Sequence, residues 1–310
     1  MKKEILFFKP VFKTMIWGGK KMRDVFGYDI PADNTGECWA ISAHPNGDCE
    51  CLTGEYKGET LSTLWKEHPE LFGNYPTDRF PLLLKVIDAK EDLSIQVHPN
   101  DEYAKVHENG SLGKTECWYI LDCDEGSKLV IGHNAKTKAE LDEMIDEGRF
   151  KELIREVSVK PGDFVQIDPG TVHAIKGGVM ILETQQNSDI TYRLYDYDRL
   201  QNGKPRELHL ESSKAVITVP AKEGAVITTS DTEPVSKLID CEYYSVEKIN
   251  VHGSVDFDKD VPFLIASCID GNGTVNDETR VKKGDHFVVP NGFETLTFTG
   301  NMTLIVSNPV

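Results

Sequence analysis

Two apolar-rich stretches of the chain, Pro81 to Ile87 and Leu93 to His98, are parted by a short charged turn and read as adjacent strands. Glu116 to Leu121, Lys128 to Ile131, Val179 to Thr184 and Ile190 to Tyr195 read as further strands, and Cys38 to Ser42 alternates as a strand does. From Val226 onward the apolar runs are short, β-branched or aromatic, and bounded by Gly, Asn or Asp, which predicts an antiparallel barrel or sandwich. Helical spacing is confined to a few segments. Thr60 to Leu71 places Leu61, Leu64, Trp65 and Leu71 roughly on one stripe, and Asp101 to Glu108 and Glu207 to Val216 read as short helices. Thr137 to Val157 begins with a Thr cap and Glu140 three residues on, then predicts two short helices broken near Gly148, inserted between strands. The pattern is mainly β.

A self-similarity divides the chain. Val159-Lys160-Pro161-Gly162-Asp163 opens a strand, a Pro/Gly turn and a second strand reaching His173, and Val281-Lys282-Lys283-Gly284-Asp285 opens the same succession as far as Glu294. Aligned at the prolines, His173 falls opposite Glu294. With 310 residues, two units are expected, 1–220 and 221–310, with the boundary near Pro220 to Ala225.

Charge narrows the partners. Thirty-four basic and 51 acidic residues give a net charge of −17, which opposes non-specific binding to nucleic acid or to anionic membrane. An anionic substrate would therefore need a local cluster of Lys and Arg. The apolar run near the N-terminus, Ile5 to Phe8, is too short for a signal-peptide core, and no stretch approaches a membrane span, so a cytoplasmic protein is expected. Seven cysteines, with Cys49 and Cys51 lacking a Cys-Xaa-Xaa-Cys spacing, read as reduced structural thiols. No oligomeric state follows from these features.

The chemistry lies on three short segments. Gln96 and His98, two apart in one strand, project from the same face, and Glu116 and His173 stand beside turn residues on other strands. Two imidazoles, a carboxylate and an amide oxygen form a donor set that suits zinc, with other borderline divalent metals possible. Lys85 is flanked by Leu82, Leu83, Leu84, Val86 and Ile87, and a lysine in such a strand needs a partner or a task. Nothing like Gln96-Val97-His98 precedes the second copy of the repeat, so that unit is expected to hold no metal.

The Gly-Asp and Pro-Gly-Xaa-Xaa-His strand pairs resemble the cupin superfamily. More closely, Trp17-Gly18-Gly19, Gly36-Glu37-Cys38-Trp39, Gln96-Val97-His98-Pro99-Asn100, Lys114-Thr115-Glu116, Pro169-Gly170-Thr171-Val172-His173 and Asn187-Ser188-Asp189 through Arg193 resemble the zinc-dependent type I mannose-6-phosphate isomerases. The resemblance implies two cupin-like antiparallel jelly-roll barrels with a small helical insertion. It also implies interconversion of mannose 6-phosphate and fructose 6-phosphate by metal-assisted proton transfer through an enediolate. It makes Gln96, His98, Glu116 and His173 the ligands of Zn²⁺, Arg193, Lys114 and Asp189 the catalytic candidates, and Lys85 and Trp17 substrate contacts. Tyr192 and Tyr195 read as packing or pocket wall. His107, His133, His209, His252 and His286 read as surface or core histidines, and His44 lacks a Gln two residues before it. Two competing functions fit parts of the pattern: a cupin Fe²⁺ oxygenase using His98, Glu116 and His173, and a non-catalytic sugar-binding cupin.

Overall fold

The structure is a computed structural model that describes residues 4–310; Met1 to Lys3, the start of the stretch read for a signal peptide, lie outside the described residues. Three large antiparallel sheets carry the molecule. The first, of seven strands, runs Val226–Thr228, Asp163–Ile167, Glu116–Cys123, Val179–Gln186, Leu82–Ala89, Val11–Gly19 and Thr35–Ile41. A second, of five, runs Ile154–Ser158, Lys128–His133, His173–Ile175, Ile95–Val97 and Tyr192–Tyr195. The third is built mainly from residues after 234.

The first two sheets face one another, because alternation sends Trp17, Ile87, Trp118, Ile120, Val165 and Ile181 from one toward Leu129, Ile131 and Ile175 of the other. Polar residues in register with these apolar ones face the same gap. The outer face of the five-stranded sheet, with Ile95, Val97, Val130, Ala174 and Leu194, is covered by Leu141, Met144, Ile145 and Leu153 of the helical insertion. Beyond the seven-stranded sheet a large core joins Leu82, Leu84, Val86 and Leu182 to Leu64, Trp65 and Phe72 and to Ile265, Val288 and Ile305 of the third sheet. The two parts also exchange strands. Leu6–Lys9 pairs with His286–Val289 of the C-terminal sheet, and Val226–Thr228 pairs with Asp163–Ile167 of the first.

The mainly β reading holds, while the strand pairings among the described residues form open sheets and show no closed barrel. Two local expectations need correction. The helix from Thr60 stops at Glu67, because Pro69 ends it, and the chain continues as a 3₁₀ turn over Pro69–Phe72. The insertion forms helices Lys138–Asp146 and Phe150–Leu153 on either side of Gly148, but Ile154–Ser158 leaves the helical path to pair with Lys128–His133. Val157 and the β-branched Ile154 supply apolar residues that fit either period; the free edge of the sheet decides between them.

Candidate metal and substrate site

Register assembles the site. His173 pairs directly with Gln96 across two antiparallel strands, and Gln96 pairs on its other side with Arg193. In the facing sheet Glu116 is flanked by Ile167 and Gln185, and Glu183 lies between Lys85 and Trp118. Trp118 is two residues from Glu116, so Glu116, Lys85 and Glu183 all face the gap between the sheets.

Within that gap, His98 Nε2 lies 3.2 Å from His173 Nε2 and 3.4 Å from Glu116 Oε2, and His173 Nε2 lies 3.5 Å from Glu116 Oε1. One donor atom from each of the three residues falls within 4.8 Å of the others, and all three residues are buried. The amide of Gln96 reaches within 3.3 Å of His173 Nε2, where a half-turn of the amide exchanges its nitrogen for its oxygen.

The donor set fits a divalent cation on several counts. His173 Nδ1 sits 2.8 Å from the Thr171 carbonyl, which places its proton there and leaves a lone pair on Nε2 pointing at the cluster. Burial lowers the pKa of both rings, that of His98 to about 3 with Lys114 adding to the effect, so both are neutral at physiological pH. Burial alone would raise the pKa of Glu116, yet Lys114 and then His98 outweigh it and hold the carboxyl well below the usual range. Neither oxygen of this buried carboxylate has a hydrogen bond of good geometry, although Lys114 Nζ stands 2.7 Å from Oε2. Two lone-pair nitrogens converging on an anionic carboxylate, all out of water, are the environment a cation stabilises.

A cavity of about 530 Å³ opens beside this cluster and reaches Gln96 and Lys114. That volume suits a small-molecule ligand. Trp17, Lys85, Asp189 and Arg193 line it, so the structure gathers every sequence-read substrate or catalytic residue around one space. Their settings differ. Lys85 and Lys114 are buried, whereas Asp189 sits toward the rim, accepting from Asn46 Nδ2 at 2.6 Å with His44 Nε2 3.5 Å away. Arg193 is half-buried; its Nη1 donates to the Glu207 carbonyl at 2.9 Å and its Nε has no partner among the described residues. Tyr192 donates to Glu108 and Tyr195 stacks on Phe150, in keeping with packing roles.

Several lining residues escaped the sequence reading. Glu183 is buried, accepts from Trp118 Nε1 at 3.0 Å and lies 3.4 Å from Lys85 Nζ; its pKa is raised, first by burial and then by Glu116. Glu183 follows the apolar run Val179 to Leu182 and precedes the polar Thr184 to Gln186, so its signal in the sequence is weaker than that of Lys85, which is apolar-flanked on both sides. Lys13, Glu37, Trp39, Arg206 and His209 also line the cavity. His209 is no ligand of the cluster; its Nδ1 accepts from the Arg193 backbone N–H at 3.2 Å.

A β protein of facing sheets, with a buried His/Glu/His donor set beside a polar, cation-rich cavity, is the class that fold and site define. Residues 5–132 match the phosphomannose isomerase type I catalytic domain, and residues 235–309 match the mannose-6-phosphate isomerase cupin domain. The chain is 53% identical over 315 residues to mannose-6-phosphate isomerase ManA of Bacillus subtilis, covering 99% of this chain and 100% of the relative. It is 44% identical to the mannose-6-phosphate isomerase of Streptococcus mutans, covering 98% of each. It superposes on the crystal structure of a mannose 6-phosphate isomerase from Bacillus subtilis with a TM-score of 0.94 at 49% identity, over 98% of this chain and 99% of that one. The chain belongs to the type I phosphomannose isomerase family.

Proposed function

We propose that this chain interconverts mannose 6-phosphate and fructose 6-phosphate, with Zn²⁺ held by Gln96, His98, Glu116 and His173. The observation that carries this reading is the buried His98, Glu116, His173 donor set beside a cavity that also gathers Lys85, Lys114, Asp189 and Arg193. Near-full-length likeness to curated isomerases supports it and sets aside the Fe²⁺ oxygenase and the non-catalytic sugar-binding cupin. Read as cupin-like, the units divide near residue 220, the first catalytic and the second free of metal. The seven free cysteines agree with a reducing, cytoplasmic setting, and among the described residues no helix is long and apolar enough to cross a membrane.

The reaction moves one proton between C1 and C2 of the open-chain sugar through an enediolate. When bound, the metal supplies Lewis-acid polarisation of the sugar oxygens. The chain's own side chains do the rest. Lys114, fixed against Glu116 at 2.7 Å, borders the cavity where the substrate oxygens would lie, and Glu183 holds Lys85 from below. Arg193, next to Gln96 in the sheet, presents a guanidinium to the same region and favours the charge that builds up in the enediolate. Asp189, held by Asn46, is the carboxylate placed to accept a proton at the rim, and Lys114 the amine placed to exchange one deeper in. Trp17 and the buried walls exclude water from the reacting carbons.

The test is a coupled assay on mannose 6-phosphate, with and without a chelator, paired with metal analysis. The expected outcome is turnover that the chelator abolishes and added Zn²⁺ restores. Turnover insensitive to complete metal removal would sink the proposal.

A further inference from the structure

Arg193 and Arg206 both reach the cavity, but by different routes. Arg193 comes from the sheet itself, in register with the ligand Gln96. Past Tyr195 the chain turns through a small hairpin, Leu200–Gln201 against Lys204–Pro205, and this brings Arg206 to the cavity wall from outside the sheet. Arg206 therefore reaches the cavity from the hairpin and not from a strand that carries a metal-ligand candidate.

Its side chain is held from behind. Asp196, only 4% exposed, accepts from Arg206 Nε at 2.7 Å and Nη2 at 2.5 Å, and from Arg199 Nη2 at 2.6 Å. Arg199 is tied in turn to the Asp92 carbonyl at 2.6 Å. The bidentate contact fixes the plane of the Arg206 guanidinium, and among the described residues its Nη1 has no partner.

The two ends of the cavity differ in local charge. Beside the metal ligands, Lys85 and Lys114 are matched by Glu183 and Glu116. Around Arg206, by contrast, Arg199 and Arg206 share the one buried carboxylate of Asp196. An unmatched positive charge thus stands there, in a chain of net −17. Local excess of that sign in a globally anionic protein is what a dianionic substrate group requires.

We propose that Arg206, positioned by the buried Asp196, is the residue that recognises the substrate's phosphate. The free edge of its guanidinium takes the phosphate oxygens, and the C1–C2 end of the sugar extends toward Gln96, Lys114 and Arg193. The inference rests on the sugar-phosphate reading above, and it separates the two arginines: Arg206 binds the ground state, Arg193 serves the transition state.

The experiment is steady-state kinetics of the metal-loaded, full-length chain carrying Arg206→Ala, with inorganic phosphate as competing inhibitor. Losing a hydrogen bond to a charged group typically costs on the order of 10- to 100-fold in binding. KM should rise by about that factor, Ki for inorganic phosphate should rise in parallel, and kcat should stay within about threefold. Arg206→Lys, which keeps the charge without the fork, should fall between. Asp196→Asn should raise KM less than Arg206→Ala, because its amide oxygen still accepts one N–H. An unchanged KM and Ki, or a fall in kcat at unchanged KM, would overturn the proposal, as would a KM effect without any change in Ki. Should the unsubstituted chain fail to turn over mannose 6-phosphate, the functional reading falls first. Calorimetric titration of inorganic phosphate into the unsubstituted chain and Arg206→Lys still decides the anion site: weaker binding by the variant supports it, and equal binding or none by either overturns it.

Discussion

The two copies of the repeat share a turn and differ in what they build on it. In each, a glycine with positive φ, +87° at Gly162 and +91° at Gly284, lets the chain reverse. In each, the aspartate that follows the glycine accepts from the backbone N–H of the lysine three residues before it, at 2.9 Å from Lys160 N to Asp163 and 2.9 Å from Lys282 N to Asp285. Each glycine N–H also docks on the neighbouring long strand, at Ile120 in one copy and Cys268 in the other. The following strands then diverge. Ile167 pairs with Glu116, whereas its counterpart Val289 pairs with Leu264; Val165 pairs with Trp118, whereas Phe287 pairs with Ala266. The position of the candidate ligand Glu116 is a leucine in the second copy, inside a core that includes Leu264, Phe287, Val289, Leu296 and Phe298.

The difference teaches what the first copy gives up. One scaffold buries Glu116, Glu183, Lys85 and Lys114, with oxygens of both glutamates unsatisfied among the described residues, while the other sets Leu264 where Glu116 stands. Buried polar groups without full partners cost free energy that apolar packing does not. Polar atoms that cannot satisfy one another are poised to act on a ligand, and the C-terminal sheet supplies packing against the first unit through Ile265, Val288 and Ile305.

The sharpest way to break the comparison is to remove what only the first copy has. His173→Ala or His98→Ala leaves an incomplete donor set and is expected to abolish bound metal and activity together, by more than about 10³-fold in turnover. Gln96→Ala should weaken metal binding less, since water can replace a neutral amide oxygen. Metal analysis beside the assay checks both, and full stoichiometry in His173→Ala would remove His173 from the ligands. Next in size, Arg193→Ala should lower kcat by on the order of 10²–10³ with KM little changed and metal intact, as loss of one preorganised donor to transition-state charge typically does. A raised KM at wild-type kcat would instead make Arg193 a ground-state clamp.

Much of this site was legible from residues alone, and the part that was not has a physical cause. Gln96, His98, Glu116 and His173 announce themselves because ligand-type side chains in apolar strands have few other reasons to be there. Glu183, at the end of an apolar run and followed by polar residues, carries a weaker signal, and its partners Lys85 and Trp118 are set by strand register, which the chain states only through folding. Arg206 was illegible for a further reason: a solvent-facing hairpin such as Leu200–Pro205 has no periodicity to aim its neighbours. In the fold, long apolar strands were read well, whereas Ile154–Ser158 was drawn into a helix because edge pairing, a tertiary event, outweighed helical spacing.

Acid sharpens the contrast between the copies' histidines. His286 is buried: Tyr28 OH donates to the Gly284 carbonyl at 2.6 Å and so accepts from Nε2, 2.8 Å away, while Ser267 Oγ lies 2.7 Å from Nδ1. Burial pushes its pKa down from 6.5 to about 4. The unfolded chain therefore binds a proton that the folded chain refuses between those values, so the stabilisation is full above about 6.5 and is lost as pH falls through the window. The expected loss is about 2 kcal/mol by pH 5. In denaturant titrations at several pH values, the slope in this range should be shallower for His286→Asn than for the unsubstituted chain. Equal slopes would show that His286 titrates normally.

The smallest expected effect tests the second copy most directly. Glu294 takes the place of His173 in the repeat, yet it is exposed, and no donor cluster forms around it among the described residues. Its backbone carbonyl accepts from Lys259 N at 2.7 Å, a bond that a side-chain change leaves in place. Glu294→Gln removes one solvated charge, and such surface changes usually stay within about 0.5 kcal/mol of stability. Turnover, metal content and thermal midpoint should all match the unsubstituted chain within error. A substantial fall in kcat in a folded, metal-loaded Glu294→Gln protein would mean that the C-terminal copy takes part in the reaction, and the division of labour drawn from Leu264 and Glu116 would no longer stand.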